Sequence, residues 1–278
     1  MNAWLIYDQF EAERNKHYIQ MYFDECSKRG IQLRLLISED LTIGIRENKC
    51  SVMYLYEKLP APHFVICRTI RPLLTKHLEI MGIPVFNNYF VSSVCNDKQK
   101  TYQYVSQANI RMMDSIFTNT DYTGEITYPV VVKPSNGKGG KNVFLVRNSE
   151  EYHHAVKAMS GTDIIIQKPA GDLGRDLRVY VIGKRIIASI LRVSQTDFRS
   201  NYCLGGSAEL YDLSHQEKSI IDKVIEMFDF GLVGIDFIFD QGQLVFNEIE
   251  DVVGSRMIYA KTDINIVSEY LEYILTKV

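Results

Sequence analysis

The segment Val130–Val146, VVVKPSNGKGGKNVFLV, constrains this chain more than any other stretch. It reads as a β-strand, a Gly/Lys loop and a second β-strand. Gly137, Gly139 and Gly140 let backbone approach a ligand closely and turn several N–H groups toward it. Lys133, Lys138 and Lys141 add point charges suited to phosphate oxygens. The flanks decide which kind of phosphate loop this is. A P-loop or a dinucleotide fingerprint joins a strand to a helix, with glycines at other spacings. Here NVFLV follows, apolar and β-branched, so the loop caps a hairpin and is placed to act as a lid.

Around this segment the chain is unexceptional. Its 278 residues leave room for about two domains. They are 46% hydrophobic and 23% charged, enough to bury a core. The net charge of -3 argues against nucleic-acid binding through overall charge. The odd set of cysteines (Cys26, Cys50, Cys67, Cys95 and Cys203) contains no CxxC pair and reads as unpaired thiols of a reducing compartment. MNAWLIYDQF lacks a basic leader and reads as a first strand, and no apolar run has the length of a membrane span. The expectation is a cytoplasmic protein without membrane or nucleic-acid partners.

Residues 1–95 alternate strands (AWLIY, IQLRLLI, HFVICR, IPVFN) with helical stretches, implying a mostly parallel sheet. A second portion, 96–160, holds a helix near 97–107, the lid hairpin and a helix near 150–159. The third, 161–278, begins with DIIIQK and continues with the pair DLRVYVIG and KRIIASILRV. An irregular stretch, 194–210, and a helix near 214–228 come next. VGIDFIF and QLVFNEIE form a further hairpin, and a helix near 265–277 closes the chain.

Two constellations accompany the lid. Asp236 lies in VGIDFIF, and Glu248 and Glu250 lie in VFNEIE, where strand alternation puts both glutamates on one face. A three-residue hairpin loop sets Asp236 opposite Glu248, whereas a two-residue loop brings Asn247 there. Carboxylates converging in apolar strands are costly without a cation, and an oxygen-only set suits Mg²⁺ or Mn²⁺. The second constellation is Arg175, Arg178, Arg192 and Arg199, of which Arg178 and Arg192 fall inside strands and need partners. The scattered histidines form no metal cluster, and no GxSxG elbow occurs.

In their order these motifs resemble the ATP-grasp superfamily, specifically its RimK-like α-L-glutamate ligase, or carboxylate–amine ligase, branch. The matching residues are NDK at 96–98, VVVKP at 130–134, the glycine loop to Lys141 and IIIQKPAG at 164–171. GRDLRVYVIG at 174–183, ILRV at 190–193, DFRSN at 197–201, VGIDFIF at 233–239 and NEIE at 247–250 continue the series. The resemblance implies an ATP-grasp fold, α/β and α+β, behind an N-terminal Rossmann-like (pre-ATP-grasp) domain. It implies ATP contacts from Lys98, Lys100, Lys133, Gly137, Lys138, Gly139, Gly140 and Lys141 on the phosphate side. Gln167, Lys168, Pro169 and Ala170 would line the adenine edge, and Asp176 and Arg178 would complete the ATP site. Arg192, Arg199, Asn201 and Arg256 would act on the reacting groups, while Asp236, Glu248 and Glu250 would hold two Mg²⁺ or Mn²⁺ ions. The resembled family usually has asparagine where this chain has Glu250.

The implied reaction phosphorylates a carboxylate with ATP and transfers the acyl group to an amine, releasing ADP and phosphate. The partners would be small-molecule or peptide carboxylates and amines, and relatives often form homo-oligomers. The same residues are compatible with an ATP-binding regulatory protein or a small-molecule kinase on this scaffold.

Overall fold

The computed structural model describes residues 1–137, 139–199 and 206–278. In the N-terminal portion β1 (Asn2–Tyr7), α1 (Gln9–Arg14), α2 (Lys16–Lys28) and β2 (Gln32–Ile37) come first. A hairpin of β3 (Leu41–Arg46) and β4 (Lys49–Tyr54), then β5 (Phe64–Cys67), α3 (Pro72–Ile80) and β6 (Val85–Phe86), complete it. The sheet order is β2-β1-β5-β6 with every pairing parallel, as the strand–helix alternation predicts. The β3–β4 hairpin is additional. Its turn rests on Glu47 and Asn48, both at positive φ, where a sequence search for glycine finds no signal.

Next come α4 (Tyr89–Cys95), α5 (Lys98–Ser106), β7 (Ser115–Asn119), β8 (Val130–Pro134), β9 (Phe144–Val146), α6 (Ser149–Ala158) and β10 (Asp163–Gln167). The lid hairpin is present as β8 paired antiparallel with β9, Val130 opposite Val146. These strands form a sheet of order β7-β10-β8-β9. Strand β10, expected in the third portion, therefore hydrogen-bonds into the lid's sheet.

The last portion contains β11 (Arg175–Ile182), β12 (Arg185–Val193), β13 (Ser207–Leu210), α7 (His215–Glu226), β14 (Leu232–Asp240), β15 (Gln243–Glu250), α8 (Arg256–Lys261) and α9 (Ile266–Leu275). Its antiparallel sheet runs β13-β12-β11-β14-β15. The end of the stretch expected to be irregular is thus the edge strand β13, whose Ala208 pairs with Arg192. No helix of the described residues is long and apolar enough to cross a membrane.

This sheet positions the site. One face carries Leu177, Val179, Val181, Leu191, Ile235 and Phe237 into a core closed by α4, α5 and α7. Alternation sends their neighbours to the opposite face. There Tyr180, Ile182, Ile190 and Leu232 pack with α2, α9 and the N-terminal sheet. Farther along the same strands, that face carries Asp176, Arg178, Arg192 and Asp236 instead of apolar residues. One sheet face is therefore core at one end and charged at the other.

Candidate active site

The register of β14 and β15 sets the charged end. Their turn is the two-residue loop Gln241-Gly242, both at positive φ, with Asp240 opposite Gln243. Continued without interruption, that register would put Asn247 opposite Asp236. Instead the pairing shifts between Asp236 and Phe237, and Asp236 faces Glu248. The extra residue is a β-bulge at Asn247. It reverses the alternation, so Leu244, Phe246 and Ile249 all point into the core. Glu248 and Glu250 consequently share the face of Asp236.

Across this face acids pair with bases held on nearby strands. Arg192 on β12 donates from Nε to Asp176 Oδ1 (2.5 Å) and from Nη2 to Asp176 Oδ2 (2.6 Å). Its Nη2 also donates to Asp236 Oδ2 (2.8 Å). Arg178 on β11 grips Asp236 in a fork, Nε to Oδ1 at 2.8 Å and Nη2 to Oδ2 at 2.7 Å. Its Nη1 lies 2.5 Å from Glu250 Oε2 in ion contact, outside hydrogen-bond geometry. Burial alone would raise the Asp236 carboxyl, but Arg178 and Arg192 outweigh it and bring its pKa down to about 2. Glu250 goes the other way: burial raises it, and Arg178 offsets only part of that.

The lysines arrive from the opposite side. Lys133, near the end of β8, donates from Nζ to Tyr102 Oη (3.0 Å) and to Asn247 Oδ1 (3.2 Å). The bulge residue thus ties the lid's sheet to the charged face. Lys98, the first residue of α5, donates to the Gly137 carbonyl (2.7 Å) and pairs with Glu248 Oε2 (3.0 Å). Burial alone would depress the Lys98 ammonium, yet Glu248 raises it above its usual value. The same pair lowers Glu248 despite its burial. Asp97 caps α5 and accepts from Ser135 Oγ (2.7 Å), fixing the start of the lid loop.

These groups surround one cleft. Lys98, Lys133, Gly137, Gly139, Gly140 and Lys141 line it from the lid side. Gln167, Lys168, Pro169 and Ala170 line it as well, as do Asp176, Arg192, Arg199 and Glu248. Gly139 and Gly140 have φ of 69° and 71°, a left-handed conformation that orients their N–H groups differently from a strand. Arg199 holds Asp197 through Nη2 (2.7 Å) and donates from Nη1 to the Gly140 carbonyl (2.9 Å), linking the lid to the far wall.

Other expected residues lie elsewhere. Arg178 and Asp236 sit behind the cleft wall, paired with each other. Lys100 faces a neighbouring cavity and pairs with Asp97 (3.3 Å), and Glu250 lines that same cavity. Arg256 is exposed at the start of α8 and lines neither space. Lys138 and Asn201 lie outside the described residues. The parts played by Tyr102 and Asn247 are not anticipated by the sequence motifs. A tyrosine in a helix gives no warning, but the phase change from Phe246 to Ile249 is visible in QLVFNEIE.

The set Asp236, Glu248 and Glu250 is not arranged as a metal centre: among the described residues, no group of three or more His, Cys, Asp or Glu could hold an ion. Glu248 alone fits. It lines the cleft, keeps 30% of its side-chain exposure and, among the described residues, forms an ion pair with Lys98 alone. Mg²⁺ commonly uses one or two carboxylates and fills its other positions with phosphate oxygens and water.

Comparison with known proteins bears on the family and the fold. A family model describing the RimK-like ATP-grasp domain matches residues 95–274. An uncharacterized protein of Mycoplasma pneumoniae is 28% identical over 258 residues, 91% of this chain and 85% of that protein. A protein of Maridesulfovibrio salexigens named "Probable alpha-L-glutamate ligase" is 26% identical over 267 residues, covering 90% and 89%. Among solved structures, a RimK domain ATP-grasp protein of Sphaerobacter thermophilus superposes with a TM-score of 0.74 at 16% identity, covering 98% of this chain and 99% of that one.

Two outcomes follow from the geometry. Asp236→Asn leaves two buried guanidiniums short of charge and is expected to lower unfolding free energy by about 3–5 kcal/mol at neutral pH. Because the folded pKa is depressed, that contribution is complete above about pH 4 and is lost as the pH falls toward 2. Denaturant titrations of both proteins should therefore converge on acidification; equal stability at pH 7 would contradict the pairing. Lys133→Met keeps side-chain length and is expected to weaken binding of an ATP analogue about 10- to 100-fold in a folded protein. Unchanged affinity by calorimetry would remove Lys133 from the site.

Proposed function

The chain belongs to the RimK-like ATP-grasp family, and we propose that its cleft activates a carboxylate as an acyl phosphate for capture by an amine. It is an ATP-dependent carboxylate–amine ligase, an enzyme that forms amide bonds. The observation carrying the residue-level reading is the convergence of Lys98, Lys133, the lid glycines, Arg192, Arg199 and Glu248 on a single cleft.

In this reading Lys133, Lys98 and Lys141 neutralise the ATP phosphates, and the N–H groups of Gly139 and Gly140 close over them. Gln167, Lys168, Pro169 and Ala170 receive the adenine along the backbone of β10 and the residues after it. A carboxylate oxygen of the acid attacks the γ-phosphorus while ADP leaves from the opposite side. Arg192 and Arg199 steady the charge that moves onto the equatorial oxygens. The amine nitrogen then attacks the acyl carbon, the C–O bond to phosphate breaks, and the nitrogen gives up a proton. Phosphate departs with one oxygen that began in the acid. A magnesium ion held by Glu248 and the nucleotide phosphates would supply further charge neutralisation. The lid excludes water, which would otherwise hydrolyse the acyl phosphate.

The name of the Maridesulfovibrio relative suggests glutamate as the amine. The neighbouring cavity shares Lys98, Gly137 and Glu248 with the cleft, and its carboxylates Asp97, Glu248 and Glu250, beside Lys98 and Lys100, suit the approach of an amine. The lobes 1–95, 96–160 and 161–278, with β10 reassigned to the middle one, would supply the cavity wall, the lid and the charged sheet respectively.

ADP release measured over a matrix of carboxylates and amines, with product masses, tests this reading. Release is expected to require both an acid and an amine, with glutamate more effective than glutamine as the amine. ADP formed without an amine, with phosphate retained on the acceptor, would instead mark a kinase.

A further inference from the structure

The three carboxylates on the shared face of β14 and β15 already have cations, and those cations differ in how firmly they are held. Among the described residues, Glu248 makes one ion pair, with Lys98, at the edge of the cleft. Asp236 and Glu250 meet Arg178, whose side chain is 9% exposed. All three guanidinium nitrogens are engaged: Nε and Nη2 with the two oxygens of Asp236, and Nη1 with Glu250 Oε2. Arg192 adds a second donor to Asp236 Oδ2.

We infer that the Arg178 guanidinium occupies the place a second divalent ion would need, so that this chain takes its nucleotide with one divalent cation, at Glu248. A cation shared by Asp236 and Glu250 requires oxygens about 2.0–2.1 Å from Mg²⁺ with their lone pairs free. Here both oxygens of Asp236 accept from a fixed positive fork, and Glu250 Oε2 touches it. Arginine cannot release its proton to make way. Placing a dication beside it would set like charges in contact away from water. The lysine on Glu248 has no such constraint, since its ammonium can move to a phosphate on a flexible stem.

The same geometry gives Glu250 its role. Asparagine at this position would offer Arg178 only a neutral oxygen. The glutamate completes the clamp with a full charge, and the clamp keeps the guanidinium between the two strands. Glu250 is thus a positioning residue for Arg178 and not a metal ligand.

The inference rests on the cleft being a nucleotide site, and the experiment separates the two. The full chain, saturated with a non-hydrolysable ATP analogue, is titrated with Mn²⁺ while free ion is followed by electron paramagnetic resonance. One Mn²⁺ per chain is expected, and two tightly bound ions would overturn the inference while leaving the nucleotide reading intact. Failure of the analogue to bind in a parallel calorimetric titration would overturn both. Arg178→Met should admit a second Mn²⁺ between Asp236 and Glu250. A folded Arg178→Met protein that still binds one ion would show that the guanidinium is not what excludes the second. If that variant does not fold, the count in the unaltered chain decides.

Discussion

The charged end of the sheet rests on a chain of alternating partners, Asp176–Arg192–Asp236–Arg178–Glu250, laid across four neighbouring strands. Ionised groups in strands otherwise buried on both faces are tolerable only when each has a partner of opposite sign. Here every member of the chain meets that condition through a residue on a nearby strand. Arg192 and Asp176 are cross-strand partners in register, as are Arg178 and Asp236. Removing one member would strand its neighbour, so the chain ties the strand register to the chemistry of the cleft wall.

That dependence runs through the bulge at Asn247. Without it, Glu248 would stand opposite Ile235 on the core face, and Ile249 would enter the charged face. With it, the core keeps Ile249, the cleft receives Glu248, and Arg178 receives Glu250. Asn247 also accepts from Lys133, so the residue that shifts the register also joins the lid's sheet to the charged face. One inserted position accordingly aligns two sheets and three carboxylates.

Much of this architecture is legible in the sequence. Long periodic segments such as α2, α7 and α9 stand out, because their apolar spacing matches one buried helix face. The lid stands out because glycines and lysines between two β-branched runs suit an anion-binding hairpin and little else. The hairpin β3–β4 does not, since its short strands are only partly buried and its turn uses Glu47 and Asn48. Strand β13 is hidden in a polar stretch, because an edge strand with one buried residue shows no alternation. At the site, residue identities are readable but partners are not. Arg178 is expected on the nucleotide and lies on Asp236 and Glu250, a pairing set by strand order, which no local pattern encodes. The bulge is readable in principle, since the apolar phase of QLVFNEIE changes between Phe246 and Ile249. Loop length alone leaves the register open.

The ligase chemistry itself is tested most directly by following an oxygen atom. An acid labelled with oxygen-18 in its carboxylate should transfer one labelled oxygen to the phosphate released during amide formation. Mass analysis of that phosphate should show the label only when acid, amine and ATP are all present. Unlabelled phosphate accompanying the amide would contradict the acyl-phosphate route.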